Sequence, residues 1–422
     1  MNVVQKTRAS RYNEAREIYA ENSVDTEEAL RLLQNTAISM QCWQGDDVRG
    51  FESAGALTGG IAVSGNYPGA ARGPDELMMD IEKALSLIPG PARLNLHASY
   101  AICKTKKDRD ELEPEDFSAW LDFARKNKIA LDFNPTFFGH PKAAESLTLT
   151  NPDSSARSFW IAHGKASRKI AAHFGKTQGC AALNNIWIPD GYKDIPADRR
   201  GPRERLKQSL DEIFSVHYDG AHILDCLESK VFGLGLESYT AGSHEFCMNY
   251  AAKNNILYLL DAGHFHPTEL ISDKIPSLLL FSEKIALHVS RPVRWDSDHV
   301  VIFDDELKEI AKEIVRCNAL ERVLIGMDFF DASINRIAAW VCGMRNMKKA
   351  LLYALLLPHA KLSAMQNEGR WTDILVLGEE FKFLPFADVW NEFCERGGVP
   401  LSACYLDEIK KYEAAVLSKR NG

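Results

Sequence analysis

Carboxylate and imidazole side chains cluster near the ends of two apolar runs in the stretch 256–301. They are Asp261, His264, His288, Asp296 and Asp298. Nitrogen and oxygen donors of this kind suit Mn²⁺, Mg²⁺, Co²⁺ or Zn²⁺, and the lack of cysteine among them argues against a structural zinc site. Two interpretations are open: a metal centre, or surface loops in which these residues are incidental.

The apolar runs that carry these residues favour the metal centre. Both runs are rich in Ile and Leu, which is typical of strands buried on both faces of a parallel sheet. Parallel strands end at a common carboxyl edge, where α/β enzymes keep their sites. We therefore expect the five side chains to converge from neighbouring strand ends.

The whole chain alternates strand-like and helix-like segments. The strand candidates are 37–43, 93–98, 129–135, 183–189, 223–230, 256–264, 285–290 and 323–330. Eight such strands, each followed by a helical segment, predict an α/β fold of the (β/α)₈ TIM-barrel type. The alternative is a doubly wound open sheet, which usually has fewer strands and a glycine fingerprint that neither 233–235 nor 174–177 completes.

Helical segments extend the predicted barrel at both ends. One helical pattern covers 10–34, and charged helices form a C-terminal extension over 358–422. Because internal repeats and low-complexity linkers are lacking, we expect a single domain over 1–422 with the barrel core at about 37–357. The glycine-rich segment 44–73 interrupts the first connection. Its length indicates a lid, an intersubunit loop or an ordinary surface loop.

A barrel would bring all eight strand ends around one mouth, so the polar and aromatic residues there become candidates for a single site. They are Trp43, His97, Asp132, Asn134, Trp187, Glu228, Lys230, Asp261, His264, His288 and Asp328. Each has an ordinary structural explanation by itself, such as packing for Trp43 or a hydrogen-bonded core position for His97. Lys230 could stabilise a developing oxyanion or simply neutralise the carboxylates. The set as a whole favours a functional site.

Five of these side chains, together with Asp296 and Asp298, divide into two candidate metal-binding groups. The first group is Glu228, Asp261, His288 and Asp328, and the second group is His264, Asp296 and Asp298. The spacing of Asp296 and Asp298 puts both carboxylates on one side of an extended segment. Two cations could polarise vicinal oxygens of one substrate. The rings of Trp43 and Trp187 would pack against the C–H surfaces of that substrate.

Composition excludes several classes of partner. The net charge of −8 and the pI near 5.9 provide no electrostatic footprint for nucleic acid or an anionic membrane. Residues 1–20 lack the apolar core of a signal peptide, and no window is apolar for long enough to span a membrane. Nine cysteines scattered singly are typical of reduced thiols. We expect a cytoplasmic protein that acts on a small molecule.

Long motifs resemble the L-rhamnose isomerase family over about residues 10–420. They are SMQCWQGDD, GNYPG, LIPGPARLNLHA, LDFNPTFFGHP, NIWIPDG, LDAGHFHPTE, HVSRPVRWDSDHVV and MDFFDASINRIAAW. The resemblance implies a (β/α)₈ barrel, a homotetramer, and Mn²⁺ or a similar divalent cation. It also implies interconversion of L-rhamnose and L-rhamnulose. By the same resemblance, the first group would hold a structural cation and the second a catalytic one, two per subunit.

The resemblance also implies roles for the remaining candidates. By the resemblance, the substrate contacts would be Trp43, His97, Trp187 and Lys230. The chemistry of the residues themselves makes Asp328, Lys230 and His97 the candidate catalytic residues. The alternatives are an isomerase of a related aldose, a metal-dependent barrel phosphodiesterase and a non-catalytic sugar-binding module. Because most carboxylates are committed as ligands, a metal-assisted hydride shift is favoured over an enediol route with His97 as base.

Overall fold

Eight parallel strands close into a barrel in the computed structural model, which describes residues 7–45, 47–52, 64–143, 147–231, 233 and 235–420. The strands are β1 (Ile38–Gln41), β2 (Ala92–His97), β3 (Ala130–Asn134), β4 (Ala182–Ile186), β5 (Ile223–Glu228), β6 (Leu257–Asp261), β7 (Ile285–Val289) and β8 (Val323–Met327). Each strand pairs with the next along the chain, and β8 pairs with β1. The predicted (β/α)₈ barrel is confirmed, and the open sheet is wrong.

Helices alternate with the strands and continue beyond them. They are α1 (Arg8–Glu21), α2 (Thr26–Asn35), α3 (Pro74–Leu85), α4 (Ser118–Asn127), α5 (Ser154–Gln178), α6 (Gly201–Ile213), α7 (His244–Asn254), α8 (Ile271–Leu278), α9 (Asp305–Arg316), α10 (Arg336–Leu355), α11 (His359–Asn367), α12 (Trp371–Glu380), α13 (Phe386–Arg396) and α14 (Tyr405–Ala415). Helices α3 to α10 surround the barrel, α1 and α2 precede it, and α11 to α14 form the C-terminal helices. In the described part of the chain, no helix has both the length and the apolar character to cross a bilayer.

The observed strands end earlier than the apolar pattern predicts. Trp43 lies in a 3₁₀ turn after β1, Trp187 directly follows β4, and Lys230 lies just beyond β5. The apolar pattern continues past the last hydrogen bonds between paired strands, because these side chains are still partly or fully buried at the mouth of the barrel. Strand ends therefore cannot be read from burial alone.

Side-chain alternation decides which residues enter the barrel. A small apolar cluster, distinct from the larger core, consists of Leu183, Cys226, Leu259 and Ala286. Cys226 precedes Glu228 by two positions on β5, so both side chains lie on the same face of the strand. The same spacing separates Ala286 from His288 on β7. The chemistry-bearing side chains therefore lie directly above an apolar layer that holds their strands in register.

Asp132 does not belong with the residues at the mouth, contrary to the sequence-based expectation. Its carboxylate accepts hydrogen bonds from the Arg93 guanidinium at 2.7 and 2.8 Å. It also accepts from the Ser39 hydroxyl at 2.7 Å and from the backbone N–H of Leu183 at 2.9 Å. These partners lie on β1, β2 and β4, so the Asp132 carboxylate links three strands and stabilises the barrel itself.

Candidate active site

The first group assembles at the carboxyl ends of four consecutive strands. One potential ligand atom from each of its members lies within 4.8 Å of all the others; these members are Glu228, Asp261, His288 and Asp328. His288 Nδ1 lies 3.2 Å from Glu228 Oε2 and 3.1 Å from Asp328 Oδ2. Three carboxylates around one imidazole form a compact and highly charged cluster. Parallel pairing in register places His288 beside Asp261.

The second group differs from the sequence-based grouping in one member. Ligand atoms of Asp261, His264 and Asp296 lie within 4.8 Å of one another, so Asp261 takes part in both groups. Asp298 lies next to them: a Cβ added to Gly263 would lie 2.6 Å from Asp296 Oδ1, 3.2 Å from Asp261 Oδ1 and 3.3 Å from Asp298 Oδ1. Glycine is therefore needed at 263 because three carboxylates face that point.

The charges in these groups strongly perturb one another. Burial, together with the charges of Glu228 and Asp328, raises the pKa of Asp261 well above its usual range. Burial lowers the pKa of His288, but the carboxylates of Glu228 and Asp328 outweigh it and raise that pKa to about 10. Burial and the charge of Asp296 likewise raise the pKa of Asp298. The cluster carries more negative charge than its own cations neutralise.

Several potential metal-ligand atoms in the cluster have no hydrogen-bond partner within the described residues. They are Asp261 Oδ2, Asp296 Oδ1 and Nε2 of His288. Buried polar atoms normally have partners, so these atoms indicate a missing one. A divalent cation fits oxygen and imidazole donors at this spacing, because it would satisfy them and neutralise the carboxylates.

Lys230 connects the second group to an aromatic ring. Its Nζ donates to the Asp296 carboxylate and lies 3.3 Å from His264 Nε2 and 5.2 Å from the centre of the Trp187 ring. Burial lowers the pKa of Lys230, but Asp296 outweighs burial and raises it, so the ammonium stays charged. A buried cation beside the carboxylates can balance charge and can also face a developing oxyanion.

Aromatic and imidazole rings form a continuous arc along the opposite side of the mouth. Successive ring centres lie 4.7 Å apart for Trp43 and His97, 5.4 Å for His97 and Phe138, 5.7 Å for Phe138 and Trp187, and 6.1 Å for Trp187 and His264. We call the rings of Trp43, His97, Phe138 and Trp187 the aromatic arc, and its last ring contacts His264 of the second group. Trp43 also donates its indole N–H to Asp328 Oδ1 at 2.8 Å, which connects the arc to the first group.

His97 is held as a neutral imidazole within the arc. Burial lowers its pKa to about 4. Its Nδ1 lies 3.1 Å from the hydroxyl of Thr136, which also accepts from the backbone N–H of Ser99. A ring fixed in this way can contact a substrate, but it is a weak base at neutral pH.

A cavity of about 1180 Å³ opens between the arc and the two candidate metal-binding groups. Its lining includes part of the glycine-rich segment, from Ser64 to Arg72, and Arg420 near the end of the chain. Residues 53–63 of that segment lie outside the described residues. The cavity is large enough for a small sugar, and polar groups converge on one side of it.

Comparison with known proteins identifies the family. Residues 6–420 match the family model for L-rhamnose isomerase (RhaA). The L-rhamnose isomerase of Listeria monocytogenes serotype 4a is 55% identical over 413 residues, covering 98% of each chain. The chain belongs to the L-rhamnose isomerase family. A further member, the L-rhamnose isomerase of Klebsiella pneumoniae strain 342, is 55% identical over 407 residues, covering 96% of this chain and 97% of its own.

Among solved structures, D-psicose 3-epimerase from Clostridium cellulolyticum H10 covers 76% of this chain and 96% of its own. Its TM-score is 0.46 at 14% identity. Similarity at that level says nothing about activity. Membership of the L-rhamnose isomerase family does not support the alternative phosphodiesterase.

The structure adds residues that sequence reasoning missed. Asn185 of β4 donates its amide to Glu228 Oε2, whereas Asn134, already a candidate from the sequence, donates to Asn95 Oδ1 at 2.6 Å. Phe138 fills the centre of the aromatic arc. Its position shortly after a strand, as for Trp187, was the available signal. The sequence offered no such signal for Asn185, because an amide within an apolar strand can equally contact a ligand or a neighbouring strand.

Proposed function

We propose that the protein interconverts L-rhamnose and L-rhamnulose in this cavity. The proposal rests on a buried cluster of carboxylates and histidines facing an aromatic arc in a chain of the L-rhamnose isomerase family. Charged groups on one side and rings on the other suit a molecule with hydroxyls and C–H surfaces. Assay of ketose formation from L-rhamnose and from a panel of related aldoses tests it. Metal-loaded protein that forms no L-rhamnulose would contradict it.

We further propose two divalent cations per subunit, with Mn²⁺ as the principal candidate and Co²⁺, Zn²⁺ or Mg²⁺ as alternatives. The first group would hold the structural cation, and His264, Asp296 and Asp298 the catalytic one. A bound divalent cation would supply a Lewis acid for the sugar carbonyl. The unpartnered donor atoms support this assignment. Metal analysis, followed by chelation and reconstitution with each ion in turn, decides identity and stoichiometry.

The remaining roles follow from the contacts of each side chain. Trp43, His97 and Trp187 would bind the sugar through the arc, and Lys230 would contact a substrate oxygen that gains negative charge. Asp328, held by Trp43, would orient the transfer of the proton between O2 and O1 of the sugar. The pKa of Asp328 is raised by burial but, on balance, lowered by His288, so this carboxylate is ionised.

For hydrogen transfer between C1 and C2 we favour the hydride shift over the enediol route. An enediol route needs a base within reach, and burial keeps the pKa of His97, the uncommitted imidazole, near 4. Isomerisation of sugar deuterated at C2 tests this choice. Label retained at C1 in ordinary water is expected, whereas complete exchange with solvent would make His97 the base.

We also propose a cytoplasmic homotetramer whose subunits each form a single domain over 1–422. The nine cysteines are all free thiols, which suits a reducing compartment. Helix α12 has no buried residue, and its apolar side chains Trp371 and Leu375 are 63% and 66% exposed. This helix therefore offers an apolar surface to another subunit. Mass measurement by light scattering should give four subunits, and Leu375→Glu should give smaller species. A monomeric wild-type protein would contradict the assembly.

The glycine-rich segment 44–73 is proposed to close the mouth or to pack on another subunit. Its described part is already fixed: Tyr67 donates its N–H to Ala332 O at 2.7 Å, and Arg336 bonds Asp47 and Tyr67 O. Closure would exclude water from the reacting carbonyl. Proteolysis within this segment that responds neither to sugar nor to subunit dissociation would contradict both versions.

A further inference from the structure

Arg109 is a buried arginine that the proposed reaction leaves unused, although it lies beside the aromatic arc. Its side chain is 4% exposed. Nη1 donates to the carbonyls of Thr136 at 2.7 Å and Phe138 at 2.5 Å, and Nη2 donates to Gly139 O at 3.4 Å. One guanidinium therefore binds three carbonyls of the turn 136–139, which follows β3 and carries Phe138.

The same guanidinium reaches the glycine-rich segment. Nε and Nη2 donate to the two carboxylate oxygens of Glu52 at 2.8 and 2.6 Å. All five N–H donors of an arginine are thus engaged, three on the turn and two on the carboxylate. A lysine has three donors at one point and cannot reproduce this fork.

The backbone of Arg109 is fixed as well. His163 is fully buried, and its Nδ1 lies 3.0 Å from Arg109 O. Its Nε2 accepts from the N–H of Thr136 at 2.8 Å, so Nδ1 must carry the proton and donate to Arg109. The imidazole of His163 therefore binds both Arg109 and the turn. The hydroxyl of Thr136, in the same turn, contacts His97 and so restricts its ring as well.

We propose that Arg109 is a positioning residue for substrate binding, which rests on the proposed function of the same cavity. It holds the turn 136–139 so that Phe138 stays between His97 and Trp187 and completes the aromatic arc. Phe138 contacts both neighbouring rings, so a shift of the turn would open the arc at its centre. Arg109 itself does not touch the reacting atoms, so its loss acts on sugar binding more than on turnover.

Arg109→Lys tests the proposal against Arg168→Lys as a matched control. Arg168 is equally buried, at 5% exposure, and also binds two carbonyls and a carboxylate, but it lies away from the cavity. Both variants should lower Tm. Arg109→Lys alone should raise KM for L-rhamnose about tenfold while kcat changes less than about twofold, the pattern of lost uniform binding. An unchanged KM, or an equal rise in Arg168→Lys, would overturn the proposal.

Phe138→Leu makes the test independent of the folding of Arg109→Lys. It should raise KM, and adding Arg109→Lys should raise it less than about twofold further, because both changes act through one ring. If the two substitutions raised KM independently and multiplicatively, or if Phe138→Leu left KM unchanged, Arg109 would not act through Phe138 and the proposal would be overturned. The Kd of L-rhamnose, measured by tryptophan fluorescence, should follow the same pattern. If the wild type binds the sugar without turnover, the proposed function fails while the role of Arg109 is still tested.

Discussion

The mouth of the barrel has two halves of opposite chemistry. Strands β5 to β8 end in the charged first group, whereas rings follow β1 to β4 and form the aromatic arc. A pocket for a small sugar needs polar groups that fix hydroxyls and apolar surfaces that contact C–H bonds. The barrel assigns these two tasks to separate sets of consecutive strands, so each can change without rebuilding the other.

The halves meet at two seams. At one, the indole of Trp43 donates to Asp328, and at the other, Lys230 lies over Trp187 while it binds Asp296. If the division of tasks is correct, changes in the charged half should reduce turnover, changes in the arc should weaken binding, and changes at a seam should do some of both.

The largest effect is expected from Asp296→Ala in the charged half. The change removes a candidate metal ligand and the carboxylate partner of Lys230, so kcat should fall on the order of 1,000-fold. Circular dichroism and bound metal should be measured together with turnover. Asp305→Ala is the control, because this carboxylate is 91% exposed at the start of α9. Near-normal turnover of Asp296→Ala after dialysis against chelator would remove this residue from the catalytic group.

A change at the seam should have an intermediate effect. Trp43→Phe keeps an aromatic ring but removes the N–H that donates to Asp328. Hydrogen bonds to charged groups are worth about 1.5–3 kcal/mol, so kcat should fall about tenfold or more with a smaller change in KM. Steady-state kinetics on L-rhamnose measure both constants. A change confined to KM would place Trp43 entirely within the arc.

Trp187→Leu, at the other seam, should weaken binding more than it reduces turnover. The substitution removes ring surface next to Phe138, Lys230 and His264 but takes away no candidate metal ligand. We expect KM to rise about fivefold with kcat within about twofold, as for uniform binding. Metal content should equal that of the wild type. A large loss of kcat would show that the two halves are not separable at this seam.

The smallest effect concerns acid stability behind the arc. Burial lowers the pKa of His163 to about 3, whereas an unfolded histidine titrates near about 6.5. Between these values the unfolded chain binds a proton that the folded chain excludes, so the free energy of unfolding should fall as pH drops below about 6.5. Urea unfolding from pH 8 to pH 5 measures this slope. His163→Gln, which can accept from Thr136 and donate to Arg109, should make it shallower, and an equal slope would contradict the assignment.

Strand count, strand order and the clustering of the first candidate group could all be predicted from sequence. Apolar runs that end in Asp261, His288 and Asp328 have a period and a boundary that are visible in the chain itself. The membership of the second group could not be predicted in full, because Asp296 and Asp298 lie in a connection whose path no periodicity defines. There the structure brings Asp261 into the group and places Asp298 beside it.

The sequence by itself therefore determined the barrel and the residue types at its mouth, because hydrophobic alternation and strand ends are local properties. Only the tertiary structure decided which side chains share a contact. Asp132 turned out to bind Arg93 within the barrel, and Arg109 turned out to join the turn after β3 to Glu52. The physical reason is that a buried polar group is stable only with a partner, and that partner usually comes from a distant part of the chain.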